Sequence, residues 1–207
     1  MTSKIKRQKG ISNNNYTGIL IALIILCAVL SIASNSFLTS TNLLNISQQI
    51  STNFLVSIGM TFVILIGGID LSVGSITAFT GLLLALVLKN MRLPLLIGLL
   101  LTLIIAVVIG VVTGLLITFF ELPPFIATLG TMSIVRGAAY VITGGQPIYN
   151  LPESLYAITN RYCGIPIVTL IIMITLCIVA AFILKYTKLG RSVYAIGGNE
   201  KCDALMP

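Results

Sequence analysis

Uncharged, apolar stretches of helix length follow one another along almost the whole chain. Gly10 to Ile69 carries no formal charge, nor do Leu71 to Leu88, Leu93 to Phe120 and Tyr162 to Leu184. About 20 apolar residues suffice to cross a bilayer as a helix. Glycine, proline and polar punctuation divides these stretches into about six spans: Gly18 to Phe37, Ile46 to Ile66, Ser72 to Leu88, Pro94 to Phe119, Pro124 to Thr143 and Pro166 to Leu184. The predicted fold is an all-α membrane protein, a polytopic bundle of about six transmembrane helices. Residues 1–17 then form a basic tail, 18–184 the membrane domain and 185–207 a second tail. Ser31-Ile32-Ala33, after the apolar run from Gly18, loosely resembles the end of a cleavable signal. The continuation toward Phe37 and the spans behind it favour a first membrane helix.

Composition agrees with the pattern. Of 207 residues, 57% are hydrophobic and 8% charged, with a mean hydropathy of +1.09, against roughly a quarter charged in a soluble domain. Six spans fill most of these 207 residues, so no soluble domain is expected among them. The net charge of +7 does not point to nucleic acid, because the basic residues flank apolar runs and are explained by topology. With the N-terminus in the cytoplasm, Lys4, Lys6, Arg7, Lys9, Lys185, Lys188, Arg191 and Lys201 lie inside, and Lys89, Arg92 and Arg161 outside. His is absent and the four Cys show no paired spacing, so no His-based catalytic or metal site is expected. No GxxxxGK[ST] loop occurs, so the chain holds no Walker-type ATP site. No cofactor is expected in this chain.

Three stretches carry the candidate chemistry. In Gly67-Gly68-Ile69-Asp70-Leu71-Ser72-Val73-Gly74-Ser75 the paired glycines end one helix, and Asp70 or Ser72 caps the next by accepting its amide hydrogens. This predicts a broken helix at or near membrane depth. There Asp70 serves either as a cap or as a substrate contact, and Gly74 with Ser75 admits a neighbouring helix. In the second stretch, Pro123-Pro124 opens a helix that presents Thr128 and Arg136. Arg136 lies about 18 Å along it and either pairs, with Asp70 as one candidate, or reaches an interface.

Gln48, Gln49 and Asn53 make the start of the second span polar, as path-lining groups or as interhelical hydrogen-bond partners. Gly110 and Gly114 form a GxxxG spacing that predicts close helix packing. The loop Gly144 to Ile165 reads as a docking surface or as a plain connector. In the third stretch, Lys185 to Lys201, a short helix over Thr187 to Tyr194 is stopped by Gly197-Gly198-Asn199. The lack of Trp argues against a tight sugar site within the chain.

GGIDLSVGS at Gly67 to Ser75, PFIATLG with the Arg136-Gly137 that follows, and TKLGRSVYAIGGNE at Thr187 to Glu200 together resemble the membrane permeases of bacterial ABC importers for monosaccharides. That branch takes ribose, xylose, allose and galactose. The resemblance implies a location in the bacterial inner membrane. It also implies a second permease subunit, a separate ATP-binding subunit that uses the ATP, and an extracytoplasmic sugar-binding protein. Translocation-path candidates are then Gly67, Gly68, Asp70, Ser72, Gly74, Gln48, Asn53, Thr128 and Arg136. Candidates for coupling to the ATPase are Thr187, Gly190, Arg191, Tyr194, Gly198 and Asn199. After Lys201 the sequence leaves the family's pattern at Cys202 to Pro207, which is the expectation for a truncation, frameshift or fragment. Two other classes stay open on the residues alone. One is an ion- or proton-coupled transporter built on Asp70 and Arg136, and the other a non-transporting assembly partner.

Overall fold

The structure, a computed structural model, describes residues 14–155 and 167–198. The basic residues 4–9, residues 156–166 of the expected loop, and Asn199 to Pro207 lie outside the described residues. The described residues form helices joined by short turns, in two compact units, Met1–Ser47 and Gln48–Pro207.

The first unit holds α1 (Asn14–Ala33) and the opening of α2 (Ser40–Leu65). Between them, Thr39 accepts the Asn42 amide at 3.3 Å on its Oγ1, a side-chain N-cap, and donates to the Ser36 carbonyl. The Asn42 side chain donates to the Phe37 carbonyl at 2.8 Å. Every side chain from Thr17 to Leu30 is exposed. This is the state of a helix whose apolar surface faces lipid or another membrane helix.

The second unit continues α2 and adds α3 (Val73–Asn90), α4 (Leu95–Phe119), α5 (Pro124–Thr143), α6 (Ile167–Tyr186) and α7 (Lys188–Gly198). Five helices, α2 to α6, are long and apolar enough to cross a membrane, and Thr17–Ala33 is a shorter apolar helix. The chain is therefore an all-α polytopic membrane protein. α3 packs on both α4 and α5, α4 packs on α5, and α6 packs on α7.

Among the described residues the core is built inside out relative to a soluble protein. Seven buried residues are Ser or Thr, and the four buried hydrophobic ones are Ala85, Leu88, Ala127 and Val135. Large apolar side chains gain little by leaving lipid, so close contact selects small and hydroxyl residues. The hydroxyls remain satisfied: Thr102 bonds the Gly98 carbonyl, and Thr113 bonds the Ile109 carbonyl. Thr113 and Thr131 join α4 to α5 at 2.9 Å. Because the Thr113 proton goes to Ile109, Thr131 is the donor between the helices.

Close glycine packing is found where the sequence did not single it out. A Cβ at Gly98 would sit 3.1 Å from both Leu84 and Leu88 of α3, whereas Gly110, Gly114, Gly74, Gly130 and Gly137 have open space. The expected close approach at Gly110, Gly114 and Gly74 is thus not made within the described residues. α3 crosses α4 near its start, at Gly98, and the GxxxG face of α4 points away from it.

Turn chemistry explains the boundaries. Pro124 is at the first position of α5, where its missing amide costs nothing. Gly144, with φ of 61°, ends the helix in the left-handed region. The reversals after α3 and α4 use non-glycine residues there, Arg92 at φ 50° and Glu121 at φ 52°. At the far end of α3, Lys89 donates to the Tyr149 carbonyl at 2.7 Å and so ties down the described part of the segment that follows α5.

Candidate functional site

Part of the candidate set, the break from Gly67 to Ser72 and Thr128, gathers where α2 ends and α3 and α5 begin. α2 ends at Leu65, and Gly67, with φ of 79°, turns the chain back. The Gly67 amide donates to the Ile64 carbonyl at 3.0 Å and the Gly68 amide to the Val63 carbonyl at 2.9 Å. A larger residue at Gly68 would crowd Val63, whose atoms lie 3.2 and 3.3 Å from an added Cβ. The break predicted for GGIDLSVG is therefore present, from Ile66 to Ser72.

Inside it, Asp70 Oδ1 accepts the Ser72 amide at 2.7 Å and the Ser72 hydroxyl at 2.6 Å. The carboxylate closes a local Asx turn. The expected cap on the amides of α3 is not made: Ser72 occupies the N-cap without a side-chain cap bond. Its hydroxyl proton is committed to Asp70, and its backbone carbonyl accepts from the Ile76 amide and the Ser75 hydroxyl. Ser72 is 1% exposed, so this turn is anchored against protein.

The start of α5 lies against the same turn. Thr128 Oγ1 is 2.8 Å from the Pro124 carbonyl and 3.2 Å from the Ile69 carbonyl. One hydroxyl proton is shared between its own helix and the broken segment. Thr128 is buried, while Arg136, eight residues or about 12 Å further along α5, is exposed. The ion pair suggested between Asp70 and Arg136 is not formed, because Asp70 sits at the level of Thr128 and is occupied by Ser72. On α2, Gln48 is half-buried and Asn53 is exposed. The hydrogen bonds held by Asp70 come from Ser72, and the Asn53 carbonyl accepts from the Ser57 hydroxyl of its own helix.

α7 forms the third element. Thr187 caps it by accepting the Gly190 amide at 3.2 Å, and also donates to the Ile183 carbonyl at 2.7 Å. Gly190 is buried in the elbow, where a Cβ would strike the carbonyls of Ile183 and Leu184. Its role in the structure is to let the chain bend sharply out of α6. Lys188, Arg191, Tyr194 and Gly198 are exposed and recur at helical spacing on one face. The helix extends beyond the expected Tyr194, through Gly197 to Gly198, two of the three residues expected to stop it, and Asn199 lies outside the described residues. Gly197 instead meets α2, with Leu65 and Ile66 the nearest neighbours of its missing side chain. No signal in the sequence separates that glycine from Gly198.

A permease model, described as "branched-chain amino acid transport system / permease component", matches residues 42–206. The chain belongs to this family. Among curated relatives, it is 42% identical over 190 residues to a ribose import permease protein of Haemophilus influenzae, and 46% identical over 187 residues to that of Bacillus subtilis. Each match covers 89% of this chain and 58% of the relative. A D-allose transport system permease protein of Escherichia coli is 32% identical over 188 residues, which is 90% of this chain and 57% of that one. The chain thus spans somewhat under three-fifths of the length of these relatives. No solved structure matches it. All three motif stretches, including the helix-end cluster, fall within the residues the permease model matches.

Proposed function

We propose that the chain serves as permease subunit of an ATP-driven importer carrying a ribose-like monosaccharide across the bacterial cytoplasmic membrane. The observation that carries this reading is the 46% identity to a protein named a ribose import permease. A separate ATP-binding subunit hydrolyses the ATP, a second permease subunit completes the pore, and an extracytoplasmic binding protein delivers the sugar. Lys185, Lys188 and Arg191 mark the cytoplasmic end, and Lys89 and Arg92 the outer one. This orientation puts the N-terminus in the cytoplasm.

The exposed face of α7, with Lys188, Arg191 and Tyr194, offers cations and an aromatic ring to the ATPase. Engagement of the ATPase then favours one of two helix arrangements around the path. Reversing a 1:99 equilibrium takes about 5.5 kcal/mol of differential binding. Gln48 and Asn53 are the polar groups of α2 assigned to the path. A carrier coupled to ions through Asp70 and Arg136 is less well supported, because Asp70 is engaged by Ser72.

The test is affinity purification from membranes with ribose uptake measured in reconstituted vesicles. An ATPase copurifies, and uptake requires ATP. Arg191→Glu lowers uptake about ten-fold or more and leaves the chain in the membrane. Ribose uptake without ATP, abolished by Asp70→Asn, would overturn the proposal in favour of an ion-coupled carrier.

A further inference from the structure

At each end of α7 a glycine comes close to the backbone of another helix end, Gly190 buried and Gly197 exposed. At the near end, Gly190 lies against the Ile183 and Leu184 carbonyls, so the angle between α6 and α7 leaves no space for a side chain. Seven residues on, about 10 Å along the helix, Gly197 abuts the Leu65 carbonyl and lies near the Ile66 backbone. Leu65 is the last residue of α2, and Gly67 follows with its left-handed turn. Gly68, on the same turn, is itself tight against Val63. Motion of the far end of α7 therefore meets backbone at once, without a flexible side chain to absorb it. The stiff turn beyond it carries Asp70 and leads into α3, and Thr128 of α5 touches it at the Ile69 carbonyl.

We infer that Gly197 is a positioning residue, the bearing through which α7 pushes on the end of α2 and so moves the Ile66–Ser72 break. This rests on the reading of α7 as the element that docks on an ATPase. Glycine is required because any Cβ at Gly197 would overlap the Leu65 carbonyl, and a methyl group there must displace one helix end from the other. Gly59 of α2, with nothing within 4 Å, is the matched control for the same substitution.

Two measurements on the full chain test the inference. The first replaces the native cysteines, introduces Ile66→Cys with Gly198→Cys, and measures cross-linking in membranes with a short bifunctional maleimide. The pair cross-links, and adding Gly197→Val reduces the yield about five-fold. The second uses the reconstituted importer. Gly197→Ala keeps the amount of copurified ATPase but lowers sugar taken up per ATP hydrolysed about ten-fold, and Gly59→Ala matches the parent. An undiminished cross-link with Gly197→Val, or an unchanged uptake-to-ATP ratio with Gly197→Ala, overturns the inference. A parent chain that cross-links but brings down no ATPase overturns the coupling reading of α7, and transmission with it, while the contact itself stands.

Discussion

α4 and α6 are almost equally apolar, with mean hydropathies of 3.2 and 3.1 over an 18-residue stretch of each, yet they are used in opposite ways. α4 buries Gly98, Thr102 and Thr113, whereas no residue of α6 is buried. Every buried position of α4 is a glycine or a threonine, although the helix is mostly Leu, Ile and Val. α6 has hydroxyls too, at Thr169 and Thr175, but they face no buried seam. Hydropathy therefore reports that a helix enters the membrane, and small or hydroxyl residues at matching heights on two helices decide which helices hold each other there.

The contrast breaks most visibly at Gly98. Gly98→Leu drives a side chain into Leu84 and Leu88 and is expected to cost about 1–3 kcal/mol, read by reversible unfolding in mixed micelles or bilayers. A cost below about 0.5 kcal/mol would mean that α3 and α4 have room to part. A double-mutant cycle of Thr113→Val and Thr131→Val tests the α4–α5 bond, with an expected coupling of about 0.6 kcal/mol. Zero coupling would show that the two hydroxyls stabilise the helices independently. At the small end, Ile178→Ala on α6, where the parent side chain is 64% exposed, should change stability by less than about 0.5 kcal/mol. A loss as large as that at Gly98 would erase the difference between the two helices.

Much of this architecture is legible from spacing, because the bilayer reduces the possibilities to helices and their ends. Pro123-Pro124 gives the start of α5, and Gly67 and Gly144 give two helix ends, since left-handed backbone favours glycine. Arg92 and Glu121 take the same conformation without a glycine to announce it, so nothing local marks those reversals. Gly98 and Gly114 look alike in sequence, and only the crossing of α3 over α4 distinguishes the packed one. In sequence Asp70 reads first as a cap, and also as a substrate contact or one candidate partner for Arg136. The choice depends on height along α5, which places Thr128 rather than Arg136 beside the turn. The difference between Gly197 and Gly198 likewise depends on where α2 ends, more than a hundred residues away in the chain.

That α6 buries nothing has a bearing on how the protein is made. The contacts among α3, α4 and α5 are complete by Thr143, well before Ile167 leaves the ribosome at about 5–20 residues per second. Short connections make this cluster a set of neighbouring hairpins with little loop entropy to overcome. The hydroxyl seam is thus able to close during synthesis, while later segments are still being inserted. Errors in a growing chain would then fall on the late arrivals, α6 and α7, whose seating depends on glycine contacts rather than on a buried seam.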